Sequence, residues 1–124
     1  MATDPGDCNR LFTEYVNAGD LESLMTLYEP GCQLVRRDGS VAAGHDEIRV
    51  MLSRLVEMRP SFRTEVVKVV GTGHDLALVY SDWSMSVKRP DGTLSETAGK
   101  ALEVVRHQPD GSWRVAIDDP FARG

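Results

Sequence analysis

The spacing of apolar residues switches once along this chain, from a helical period to a strand period, and the switch fixes what it can fold into. Cys8, Leu11, Phe12, Tyr15 and Val16 recur at three- and four-residue steps, one stripe of a helix. Asp4-Pro5 suits the helix start, and Asn17-Ala18-Gly19 suits its end. Asp20 then caps a second, shorter helix whose stripe is Leu21, Leu24, Met25 and Tyr28, closed by Pro30-Gly31. From Cys32 the period becomes two. Cys32–Arg37 and Val41–Ala43 flank Asp38-Gly39, a hairpin signal. One helix interrupts the strands: Gly44-His45-Asp46-Glu47 introduces Ile48, Met51, Leu52, Leu55 and Val56, and Arg59-Pro60 ends it. Phe62–Val70, Leu76–Val87, Leu94–His107 and Ser112–Asp118 follow as strands. Two of their links are Pro90-Asp91-Gly92 and Pro109-Asp110-Gly111, where Pro presets one backbone angle and Gly accepts a positive one. Long strands with tight turns predict an antiparallel meander, and three N-terminal helices predict cover for one face. The class is α+β, with helices packed on a strongly curved antiparallel sheet.

A length of 124 residues predicts one domain, 1–124. Folding at this size buries roughly two-thirds of the unfolded surface, enough for a core without disulfides or metals. The formal charge of −5, from 19 acids against 14 bases, argues against a nucleic-acid or anionic-membrane partner. Arg36-Arg37 is the sole adjacent pair of arginines, so there is no basic stripe. Cys8 and Cys32 make neither a disulfide framework nor a metal site. His45, His74 and His107 stand far apart, and Gly71-x-Gly73 lacks the remainder of a nucleotide loop. No metal or cofactor is expected. No apolar run nears membrane-spanning length, and no basic-then-apolar leader opens the chain, so a cytoplasmic location is expected.

Strand parity divides the side chains into faces. Leu78, Tyr80, Asp82, Ser84 and Ser86 share one face of their strand; Val79, Ser81, Trp83, Met85 and Val87 share the other. The second is the more apolar, and with Leu102 and Val104 it suggests an outer face that meets a partner, such as a second copy of the chain.

The order helix–helix–hairpin–helix–meander resembles the nuclear transport factor 2-like superfamily, and within it the SnoaL-like and ketosteroid-isomerase-like proteins. The residues that carry the resemblance are Asn17-Ala18-Gly19-Asp20-Leu21, Leu27-Tyr28, Gly44-His45-Asp46-Glu47-Ile48 and the ending Asp110-Gly111-Ser112-Trp113-Arg114-Val115 running into Asp118-Asp119-Pro120. It covers nearly the whole chain, and its motifs specify a fold rather than a reaction. It implies a cone whose sheet wraps the helices round a pocket, and dimerisation through the outer sheet face. Matched to the family, Arg36, Tyr80, Asp82, Glu103 and Asp118 face that pocket, with Phe12, Tyr15, Tyr28, Met51 and Leu55 from the first half of the chain.

An apolar pocket with few polar groups suits a small hydrophobic carbonyl compound. The resemblance also implies what this chain is not. The general-base Asp of ketosteroid isomerase falls at Arg36 and its oxyanion Tyr at Phe12, with Tyr15 three residues on; only its acid position keeps a carboxyl, as Glu103. The substitute expected is cofactor-free acid–base chemistry of the isomerase, dehydratase or cyclase type. Asp118 or Asp82 would abstract the proton, and Arg36 or Tyr15 would stabilise the oxyanion. The alternative is a non-catalytic module that binds a ligand or a protein, with Arg36 and Glu103 joined as a buried ion pair and Asp82 facing solvent.

Overall fold

A computed structural model describes residues 1–124. Its first helix, α1 (Asp7–Ala18), ends where Gly19 takes φ +70°, a left-handed turn that glycine adopts without steric cost. Asp20 caps α2 (Leu21–Met25), its carboxylate accepting from the Ser23 amide at 3.1 Å. The chain start differs from expectation. Gly6, not Asp4, is the N-cap of α1, and Asp7 Oδ2 gathers the Thr3 and Asp4 amides instead.

The second helix is also shorter than its apolar spacing predicts. Tyr28 opens a strand, β1 (Tyr28–Val35), and Pro30-Gly31 lies inside that strand at a break in its register. The cause is tertiary: the Val115 amide donates to the Leu27 carbonyl at 2.7 Å, which draws this segment into the sheet. After β2 (Val41–Ala43) comes α3 (Gly44–Glu57), which ends ahead of Arg59, the one non-glycine residue with positive φ. Four strands follow: β3 (Ser61–Gly71), β4 (Leu76–Lys88), β5 (Leu94–His107) and β6 (Trp113–Asp119). The Asp-Gly turns share one device. Asp38, Asp91 and Asp110 each accept from the backbone amide (2.9 Å) and the hydroxyl (2.6 Å) of the residue two places on.

The six strands form one sheet in the order β2-β1-β6-β5-β4-β3. Four strands, β3 to β6, form the meander and β1–β2 the hairpin, but β1 and β6 run parallel, a pairing that the local sequence does not announce. Register breaks between Val66 and Lys68, and between Val104 and Val105, add twist where the sheet curls. The helices fill the concave side, where Leu24, Tyr28, Cys32, Ile48, Val79 and Val105 are buried. Asn17 fixes α1 to β3 with two bonds to the Phe62 backbone, donating to its carbonyl at 2.9 Å and accepting from its amide at 2.8 Å. His45 does the same for α3 and β1, with Nε2 2.8 Å from the Tyr28 carbonyl oxygen. No helix is long and apolar enough to cross a membrane.

Candidate functional site

Between the helices and the concave sheet lies a cavity of about 520 Å³, a size ordinary for small-molecule sites. The interior is therefore not filled by side chains. Of the 25 residues in its wall, 15 are hydrophobic. One side is an aromatic run. Phe12 meets Phe62 edge-on at 5.3 Å, Phe62 stacks on Trp83 at 5.8 Å, and Trp83 meets Phe121 edge-on at 5.3 Å. The Trp83 indole passes over Gly99 and donates to the Pro120 carbonyl at 2.8 Å.

The polar groups gather at the inner end. Glu103 on β5 and Asp118 on β6 are directly paired across the strands, so both side chains project from the same face. Both are buried. The α1 residue Asn9 donates through Nδ2 to Glu103 Oε1 at 2.9 Å and to Ser81 Oγ at 3.1 Å, and Ser81 Oγ donates to the same Oε1 at 3.1 Å. The Tyr28 hydroxyl donates to Asp118 Oδ2 at 3.0 Å. Asn9 Oδ1 is buried with no partner, an acceptor left for a donor in the cavity.

Burial sets the proton inventory of this pair. Glu103 is pushed up to about 8, chiefly by loss of water and then by the neighbouring Asp118 charge. Asp118 is pushed up to about 6 by burial, against the lowering effect of the Tyr28 bond. Burial and mutual repulsion both oppose a second negative charge, so the pair favours holding one proton between them near neutral pH. The Tyr28 hydroxyl is raised well above its ordinary range by burial and by the Asp118 charge, so it remains a donor. Burial also pushes the Cys8 thiol up to about 12, which leaves it an inert part of the wall.

Several residues expected to face the cavity do so: Phe12, Tyr28, Arg36, Met51, Leu55, Glu103 and Asp118 are all in its wall. Tyr80 and Asp82 are not. Register pairs Val79 with Glu103 and Ser81 with Ala101, so the inward face of β4 carries Val79, Ser81, Trp83 and Met85. Tyr80 and Asp82 lie on the outer face, opposite Leu102 and Lys100. There Asp82 pairs with Arg123 at 3.0 Å, and the same guanidinium stands over the Tyr80 ring at 5.5 Å. Trp83 and Met85 correspondingly leave the outer face assigned to them, because the more apolar side of this strand is the one the helices cover. Tyr15 packs beside the core without reaching the cavity. Arg36 and Glu103 form no ion pair; Arg36 Nη1 donates to Ser40 Oγ at 3.2 Å.

Asn9, Ser81, Phe62 and Phe121 were not foreseen. Asn9 carried a signal, since it precedes Phe12 by three residues and Val16 by seven and so shares their helix face. Phe121 carried none, because it follows the last strand.

A SnoaL-like domain model matches residues 9–117 of the chain. No protein of curated function matches it in sequence. Among solved structures, a ketosteroid isomerase-like protein from Erwinia carotovora atroseptica superposes with a TM-score of 0.79 at 21% identity, covering 93% of this chain and 90% of that one. A proposed dehydratase of the NTF2-like family from Streptomyces avermitilis gives 0.79 at 24% identity, over 94% and 93%. An NTF-2-like protein of unknown function from Shewanella oneidensis gives 0.75 at 19%, over 91% and 92%. At these identities the likeness is one of fold, an α+β cone.

Proposed function

The chain belongs to the SnoaL-like domain family, and from that premise we propose that its cavity binds a small, mainly apolar carbonyl compound and moves a proton on it without a cofactor. The observation that carries this reading is the facing pair Glu103 and Asp118 at the inner end of an otherwise apolar cavity. Two carboxyls whose surroundings separate their protonation states supply an acid and a base in one place. The same division of labour is known in ketosteroid isomerase, the standard example of this logic.

Asp118, ionised, takes a proton from the carbon beside the carbonyl, and the C–H electron pair moves into the new double bond as the carbonyl oxygen becomes an enolate oxygen. Protonated Glu103 donates to that oxygen. Its Oε1 already accepts from Asn9 and Ser81, which favours the proton on Oε2. Returning the proton at another carbon isomerises the compound; expelling a β-hydroxyl as water dehydrates it. The Tyr28 hydroxyl orients the base, and the unpartnered Asn9 oxygen suits a ligand hydroxyl. Asp82 and Tyr15, outside the cavity, take no part. Both cysteines are free and buried, which fits a reducing cytoplasm. We assign the outer sheet face, where Leu102 and Val104 lie near exposed Ile117, to a second copy of the chain.

The test is hydrogen exchange at the α-carbon of simple apolar ketones such as decan-2-one and tetralone, followed by NMR in heavy water. The rate should exceed that of buffer and be bell-shaped. It falls below about pH 6 as Asp118 gains a proton, and above about pH 8 as Glu103 loses one. Asp118→Asn should lower it roughly a hundredfold. Exchange at the buffer rate for every ketone, or at an unchanged rate in that variant, would leave the cavity as a binding site only.

A further inference from the structure

The cavity is apolar in the middle and acidic at its inner end, but its mouth is neither. Arg36 and Arg37 at the end of β1, and Arg54 on α3, all belong to its wall. Arg37 and Arg54 are exposed and Arg36 is half-buried. Arg10, Arg49, Arg106 and Arg123 are each joined to a carboxylate; the three at the mouth are not, nor are Arg59, Arg63, Arg89 and Arg114, which lie outside the cavity wall. Asp38, in the same hairpin as Arg36 and Arg37, keeps its negative charge while accepting from the Ser40 amide and hydroxyl, and it feels the Arg36 charge. In a chain with a net charge of −5, three guanidiniums against that one carboxylate still leave a positive opening.

Their placement gives them a direction. Register sets Leu34 beside Asp118, and Arg36 follows two residues further along the chain, just past the end of β1. Arg37 rests its guanidinium 4.9 Å above the Phe121 ring, which steadies the group while leaving its edge free to donate. Arg36 is held at one nitrogen by Ser40. Arg54 directly precedes Leu55, itself in the wall. The negative charge shared by Glu103 and Asp118 repels an anion from the inner end, and the guanidiniums attract one to the outer end. An amphipathic anion therefore enters tail first.

We propose that the natural ligand carries an oxyanion head, a carboxylate or a phosphate, held at the mouth by Arg36, Arg37 and Arg54 while its apolar body reaches inward to the carboxyl pair. This rests on the reading of the cavity as a site for a small apolar compound, and it narrows that class to one with an anionic group at the end remote from the reacting carbonyl. Planar guanidinium forks match both head groups, and the choice between them is experimental.

The experiment compares decanoate, decyl phosphate and neutral methyl decanoate by calorimetry, at low and high salt. At least one of the anions should bind roughly tenfold more tightly than the ester at low salt, and the better of the two identifies the head group. Added salt should shrink that preference. In the triple variant Arg36→Gln, Arg37→Gln, Arg54→Gln, with its fold checked by circular dichroism, the anions should come within about twofold of the ester. Binding of the ester as tight as that of both anions would overturn the oxyanion head and leave the apolar cavity standing, as would a preference that survives in the triple variant. Failure of all three compounds to bind would overturn the cavity reading itself, and this inference with it.

Discussion

Glu103 lies buried on β5 opposite Asp118, with Asn9 and Ser81 donating to one of its oxygens. Alternation groups it with Ala101 and Val105 on one face of β5; that this face is the inner one is what the family resemblance implies and what its burial opposite Asp118 gives, and burial favours its protonated form. Asp118 is legible in the same way from its strand. What no local pattern shows is that a parallel pairing of β1 with β6 brings the Tyr28 hydroxyl onto it. Gly99 shows the same limit from the opposite side. In sequence it is an isolated glycine within a strand; in the fold a Cβ there would lie 2.7 Å from both the Trp83 indole and the Pro120 carbonyl oxygen. Gly99→Ala must displace one or the other. It should cost about 1–3 kcal/mol in urea denaturation and alter Trp83 fluorescence, because the aromatic wall moves with the indole. An unchanged midpoint would mean that Trp83 does not close the cavity as described.

At the scale of elements, α1, the β1–β2 hairpin, α3 and β5 follow from period, caps and turns, since each is decided by neighbours in sequence. β4 shows where that reasoning stops. Its two faces are correctly sorted by alternation, but alternation does not say which one the helices cover. Register with β5 decides: Val79 opposite Glu103 makes it impossible for Tyr80 and Glu103 to share a face. The C-terminal segment completes the outer side. Arg123 donates to the Ser81 carbonyl at 2.9 Å and the Ala101 carbonyl at 3.2 Å as well as to Asp82. Asp82→Asn should therefore behave as the loss of one half-exposed ion pair, costing about 1 kcal/mol or less in denaturation and leaving ketone exchange within about twofold. A loss of exchange as large as in Asp118→Asn would put Asp82 back in the site.

For the whole molecule, the cone separates three environments along one cavity: guanidiniums at the mouth, aromatic rings along the wall, and a carboxyl pair at the inner end. Each comes from a different part of the chain, so the combination exists only in the folded state. The central claim is that the inner pair holds a single proton at neutral pH. Both carboxyls have folded pKa values above their unfolded ones, so the folded protein retains protons that the unfolded chain releases from about pH 4 upward. The most direct measurement is a carbon-13 NMR titration of the side-chain carboxyls, assigned with Glu103→Gln and Asp118→Asn. Two linked steps should appear, near pH 6 and near pH 8, and removing the Asp118 charge should draw the Glu103 step downward. Both groups titrating near pH 4, independently of each other, would contradict the account.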